Sequence, residues 1–275
     1  MNKKRILLLV LVLLFVSTAL LRISNLSYSH FQGDEIRALF TRGDDLFSFL
    51  LKQKKGPIQY LTTFTVQSFF TNPSELIFRF PFAIAGIFSV FVFYFTVRKM
   101  FNTQTAVVGS FLFSFNGLFV AFSRIVQYQS FTILFYLLAI YFFVTLEKEK
   151  KLHNLYLAII FIAFSFLAHY DALFVFPICA FYFFKWVFKS FSKRNVMHIA
   201  LASLLFATLT GSFYLPFFLN DRFGNETVSY LFMRLTGGEG QDKITNTKIT
   251  YELYNPFISI YLLTFLSFIG VFIKR

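Results

Sequence analysis

The densest chemistry in this sequence lies between His30 and Tyr60, HFQGDEIRALFTRGDDLFSFLLKQKKGPIQY. There Gly33 precedes the carboxylates Asp34 and Glu35, and Lys55, Gly56 and Pro57 set a cation against a turn. Glycine permits backbone angles that other residues resist and proline fixes the next φ, so the lysine is held in a place suited to a phosphate or carboxylate. The two acids are adjacent, so on any regular backbone they point apart and take separate roles. One faces a reacting group; the other braces the loop, pairs with Arg37 or binds a metal. The plain alternatives are two solvated loop acids and a basic helix end resting near anionic headgroups.

Three further groups stand out against the apolar background. Arg124, in AFSRIVQYQS with Gln127 and Tyr128 beside it, sits where an apolar run ends. It either snorkels to the interface or binds a ligand there. His169 and Asp171 interrupt an otherwise apolar hairpin, where ionisable groups cost free energy unless paired or used. Arg79 with Glu75, in SELIFRFP, reads as an anchoring ion pair at the start of a helix. No zinc spacing, P-loop or nucleotide fingerprint accompanies them, so a soluble-nucleotide enzyme is unsupported.

The elements that must position these residues are membrane helices. The 275-residue chain is 57% hydrophobic and 14% charged, with a mean hydropathy of +0.65, far more apolar than a soluble domain of this length. Its net charge of +13 is spread through short segments with hydrophobic neighbours, which fits topology and anionic lipid and argues against nucleic acid as a partner. The lone Cys179 excludes an internal disulfide.

Spans of roughly 17 to 25 apolar residues, or shorter ones inside a bundle, predict an all-α polytopic protein of about eight transmembrane helices. They are residues 6–23, 80–97, 105–122, 131–146, 155–168, 172–188, 196–219 and 256–273, with a tight turn at His169 to Asp171. The first is expected to be a retained span rather than a cleaved signal. Lys and Arg in the short loops place both termini in the cytoplasm and put the long segments 24–79 and 220–255 outside, together with Arg124 and the His169 turn. Within the first outer segment, the stretch from Asp44 to Lys55 and the stretch from Ile58 to Phe70 read as interfacial helices, too short or too polar to span. The second outer segment reads as a loop over a bound substrate.

With those residues placed, the chain resembles the GT-C superfamily of polyprenyl-phosphate-sugar glycosyltransferases. Within it the likeness is to the protein O-mannosyltransferase and lipid A aminoarabinose transferase group, family 39. GDEI at 33 to 36 resembles that group's acidic motif in the first outer loop, and KGPIQY at 55 to 60 its Lys/His-x-Pro-x-x-Tyr stretch, with Tyr60 at the final position. ELIFRFPFAIAGIFSVFVFYFTVRKMF is similar to its second helix; SRIVQYQS and AHYDALFVFP fall where it has a third-helix arginine and a turn between the fifth and sixth helices.

The resemblance implies a membrane catalytic module over 1–219, followed by the outer loop 220–255 and a last helix in 256–275. Relatives extend through more helices, so the chain is expected to be a fragment or a minimal form. The implied reaction moves a sugar from a polyprenyl-phosphate donor to an acceptor hydroxyl on a lipid, glycan or protein, at the outer face of a plasma or inner membrane, with inversion. By resemblance Asp34 is the general base, and Glu35 orients the loop, the acceptor or a divalent ion. Lys55, Arg124 and His169 hold the lipid phosphate, with Tyr60, Gln127 and Asp171 in support. The one cofactor left open is a divalent metal, for which Asp34 and Glu35 offer oxygen ligands without a complete set. The competing classes are a transporter or flippase of lipid-linked sugars and a non-catalytic membrane subunit. A transporter would place charges near mid-membrane and show repeats, which this sequence lacks.

Overall fold

The computed structural model describes residues 3–40, 45–46, 50 and 56–219. All belong to the first of the two units into which the chain divides, Met1–Asn220. Lys54, Lys55, most of the segment expected as the first interfacial helix, and the expected span 256–273 lie outside the described residues.

Among the described residues every regular element is helical. They are α1 (Lys3–Ile23), α2 (Asp34–Ala38), α3 (Ile58–Phe69), α4 (Glu75–Met100), α5 (Thr103–Phe115), α6 (Gly117–Phe122), α7 (Gln129–Glu149), α8 (His153–Ala168), a 3-10 segment (Tyr170–Val175), α9 (Phe176–Lys189) and α10 (Lys193–Phe218). Five stretches are long and apolar enough to cross a membrane: Lys4–Ile23, Glu75–Met100, Gln129–Glu149, Tyr170–Lys189 and Lys193–Phe218. The shorter α8 runs between two of them. This is an all-α, multi-pass membrane architecture with fewer full-length spans among the described residues than the expected eight.

The run 105–122, expected as one helix, is broken. Asn116 adopts an extended conformation, and its side chain accepts from the N–H groups of Leu118 and Phe119, starting a new helix. In an unbroken helix the Leu118 N–H would serve the Ser114 carbonyl. That carbonyl is taken instead by Arg22 Nη1 of α1, at 3.2 Å. Arg22 is buried, as are Thr18 and Ser114, whose hydroxyls meet at 2.6 Å. A polar seam therefore joins α1 to the break, where lipid would leave these groups unsatisfied.

Other termini follow local rules. Asn102 caps α5 and Ser192 caps α10 through backbone N–H groups three residues on. α4 carries Glu75 in its first turn and Arg98 and Lys99 in its last, matching the helix dipole. At the end remote from His169, Lys99 pairs with Glu149 at 2.6 Å and Lys189 with Glu147 at 2.6 Å, tying α4 and α9 to α7.

Packing centres on α7, which lies against α8, α4 and α9. One apolar core forms among α7, α8, α9 and α10 around Val144, Leu155 and Trp186. A second joins α2, α3 and the start of α4 around Ala38, Tyr60, Phe82 and Val126. Gly86 of α4 allows a close helix approach, since a Cβ there would lie 2.3 Å from Ser123 Cβ and 3.3 Å from Arg22 Nε. Gly86→Ala is therefore expected to overpack this junction and destabilise the protein by about 1–3 kcal/mol. A lowered melting temperature in detergent is the readout, and an unchanged one would mean that the junction is looser than described.

Candidate active site

Glu35 is the best-held side chain of the GDEI stretch. Gly33 takes φ 53°, ψ −116°, a region that side-chain-bearing residues resist, and turns the chain into the short helix α2. That turn aims Glu35 inward and leaves Asp34 half exposed. Arg79 donates to Glu35 through Nε and Nη2, both at 2.9 Å, in the planar fork-to-fork arrangement that carboxylates favour. The Val126 N–H adds a third bond to Glu35 Oε1 at 3.0 Å. Arg79 completes its set with the Leu26 and Ser29 carbonyls at 2.7 and 2.9 Å and lies over the rings of Tyr28 and Phe31.

The expected Arg79–Glu75 pair is thus replaced. Arg79 belongs to Glu35, and Glu75 meets His30 at 2.8 Å. The reason is burial: Arg79 is fully enclosed and needs a buried acid, whereas Glu75 stays at the wet helix end.

Asp34 lies on the solvent side of α2, 3.9 Å from Arg37. The adjacent acids point apart, as their spacing requires. The C-terminal end of α2 is fastened by Thr63 of α3, whose hydroxyl donates to the Ala38 carbonyl at 2.8 Å and accepts from the Phe40 N–H at 3.2 Å. Tyr60 is buried on the same helix. Burial pushes its hydroxyl up to about 12; a hydrogen bond with Gln59 opposes the shift and the nearby Asp34 carboxylate adds to it. Tyr60 is therefore a protonated hydroxyl within the electrostatic reach of Asp34.

The loop from Ser123 to Tyr128 links these acids to the other predicted groups. Arg124 turns toward the end of α1, donating to the Leu21 carbonyl at 2.8 Å and the Asn25 carbonyl at 3.2 Å, 5.5 Å from the Tyr28 ring centre. Two residues on, the Val126 N–H meets Glu35, and Gln127 follows, half-buried. Tyr128 then stacks on His169 with ring centres 3.7 Å apart and planes 9° from parallel, and its hydroxyl donates to Asp171 Oδ2 at 3.3 Å.

His169 is 1% exposed and ends α8 in an extended conformation. Its Nδ1 accepts the Asp171 N–H at 3.1 Å, starting the 3-10 turn. The same Nδ1 lies 3.1 Å from Asp171 Oδ2, so both the backbone and the carboxylate of Asp171 face this ring nitrogen.

Gly56 brings in the remaining element. A Cβ at this position would fall 2.0 Å from the Leu167 carbonyl oxygen and 2.5 Å from its carbon, so the turn lies directly on the backbone that leads into His169. Lys55 itself is outside the described residues.

The contacts therefore link Glu35 to the Arg124 loop, and His169 and Asp171 to Tyr128 on the same loop, while Asp34 acts on Tyr60 only through its charge. The Arg124 guanidinium is directed mainly at α1. Sequence reading missed the roles of Arg79, Tyr28 and Tyr128. An arginine within the first turns of a long apolar helix was the available signal for the first, because a cation there demands a buried partner.

The family model described as dolichyl-phosphate-mannose-protein mannosyltransferase matches residues 54–213, more than half of the chain, and the chain belongs to that family. It is accordingly a multi-pass membrane protein of a glycosyltransferase family. No curated protein and no solved structure matches it.

Breaking the buried pair from one side, by Glu35→Ala or Arg79→Ala, is expected to cost about 3–5 kcal/mol, since each strands a charge. The double variant should lose much less than the sum of the two, as read by denaturant unfolding in mild detergent; additive losses would show that the pair is not coupled. Gly56→Ala is expected to lower the melting temperature and to raise hydrogen exchange at residues 168–172. Unchanged exchange there would dissociate the turn from the α8 terminus.

Proposed function

We propose that the chain catalyses transfer of a sugar from a polyprenyl-phosphate donor to an acceptor hydroxyl at the non-cytoplasmic side of the membrane. Family membership supports the reaction class. The observation that carries the site assignment is the division of labour within one short helix: Glu35 is locked to Arg79 and Val126, while Asp34 stays on the exposed side beside Arg37.

In this reading Asp34 is the general base. A lipid phosphate is already a good leaving group, so the barrier falls mainly through alignment and charge stabilisation. The acceptor oxygen attacks the anomeric carbon from the face opposite the phosphate, and its proton passes to the Asp34 carboxylate. The carbon–oxygen bond to phosphate breaks, the electron pair leaves with the lipid phosphate, and the configuration inverts. His169, positioned by Tyr128 and Asp171, hydrogen-bonds the phosphate, and Arg124 and Lys55 supply positive charge to it. Tyr60 remains protonated and acts as a hydrogen-bond donor near Asp34. Gln127 and Asp171 support the loop and the histidine.

Glu35 acts by position rather than by contact with substrate. Its oxygens are committed to Arg79 and the Val126 N–H, and among the described residues no group of three or more potential ligands gathers for a metal. Glu35 is therefore committed to the fold rather than to a divalent cation. The basic groups around Lys99, Lys151 and Lys189 lie at the end remote from His169, which supports cytoplasmic termini and an outward-facing site. The sugar is mannose or another hexose or pentose, and the acceptor is a lipid, glycan or protein.

Asp34→Asn is expected to reduce transfer by roughly a hundredfold or more in nanodiscs supplied with lipid-phosphate sugar, without altering the melting temperature. Wild-type turnover by this variant would overturn the assignment.

A further inference from the structure

The strap that ends α1 and leads away from it, LRISNLSYS at residues 21–29, is held by two arginines from distant parts of the chain. Asn25 takes φ 52°, in the left-handed region that asparagine tolerates better than most side-chain-bearing residues, so the chain turns as it leaves the helix. Up to that turn, Arg124 donates to the carbonyls of Leu21 and Asn25. Beyond it, Arg79 Nη1 donates to those of Leu26 and Ser29. Tyr28 lies between the second pair of anchors, so its ring is fixed in place although the residue is about half exposed.

Both guanidiniums lie over that ring. Arg79 Cζ is 4.6 Å from its centre and Arg124 Cζ 5.5 Å, each within the distance at which an aromatic face attracts a cation. The two arginines differ in what they have left to offer. Arg79 is enclosed and spends itself on the Glu35 carboxylate and two carbonyls. Arg124 meets two carbonyls and the Tyr28 ring alone among the described residues, and its other N–H groups are left for a ligand. A guanidinium bonded only through its Nη atoms can still swing about the line that joins them. A fixed ring against it limits that swing.

We propose that Tyr28 is a positioning residue that aims Arg124 at the lipid phosphate. The inference rests on the function proposed above, in which Arg124 supplies charge to that group. Tyr28 acts through the arginine, by its ring face rather than its hydroxyl. It also ties Arg124 to the Glu35–Arg79 pair, because the ring that Arg124 meets is carried on the strap that Arg79 holds. A phosphate reaching Arg124 therefore finds a cation whose direction was set when Glu35 and Arg79 paired, and less ordering remains to be done on binding.

The test uses the full chain in nanodiscs, with a polyprenyl phosphate that carries no sugar as the probe, so that binding is read apart from turnover. Tyr28→Phe is followed by replacement of Tyr28 with phenylalanines of increasing fluorination, which weaken the ring's negative face while nearly keeping its size. Tyr28→Phe is expected to bind the probe within about twofold of the wild type. Affinity should then fall stepwise with fluorination, to roughly threefold to tenfold below it. In an Arg124→Ala background the same series should be flat, whereas a purely structural role through Arg79 would persist there. Affinity indifferent to fluorination, or a slope that survives Arg124→Ala, would overturn the proposal. Sugar transfer measured alongside separates the two readings. A fluorination slope with no transfer by the wild type would overturn the transferase assignment and uphold Tyr28; transfer with a flat series would do the reverse. Failure of the wild type to bind the probe would overturn both.

Discussion

The fold around the candidate site depends on one desolvated ion pair. Arg79 enters from the first turns of a membrane helix, where an unpaired guanidinium would be costly, and Glu35 meets it from a five-residue helix that could not persist alone. Each makes the other's position tenable. The remaining donors of Arg79 take carbonyls from the segment after α1, and the remaining capacity of Glu35 takes an N–H from the loop before α7. Four separate stretches of chain are registered by one planar contact. The arrangement gains orientation more than stability, because desolvation offsets much of the attraction between the charges.

The same constraint governs the helix ends. In hydrocarbon a carbonyl released by a break has no water to accept from, so the chain must provide a donor. Arg22 provides it at Ser114, where α5 stops, and Arg124 provides it at Leu21 and Asn25, where α1 stops. Arg124 reads as a ligand-binding cation in sequence, yet it, like Arg22, is substantially occupied with backbone. Arg124 still presents further N–H groups at the loop shared with Glu35 and Tyr128.

Much of the helical layout was legible because apolar length is a strong signal. The turn at His169 was legible because ionisable residues interrupt an apolar hairpin. Asn116 was not, since an asparagine in a Phe-rich run looks like an ordinary polar interruption until its side chain is seen capping Leu118 and Phe119. The opposed directions of Asp34 and Glu35 followed from adjacency, but the partner of Glu35 did not, because Arg79 is 44 positions away and Glu75 lay temptingly close. Tyr128 was visible beside Arg124, whereas its stacking on His169 depends on how α7 and α8 pack, a tertiary fact that no local pattern encodes.

The missing side chain at Gly56 has a mechanical corollary. With main chain pressed on main chain between this turn and the end of α8, nothing compressible separates the two. The start of α3 and the histidine corner must then travel as one body. Any motion that admits a substrate has to pivot elsewhere along the chain, and the spacing between these two walls is set by backbone dimensions rather than by rotamer choice.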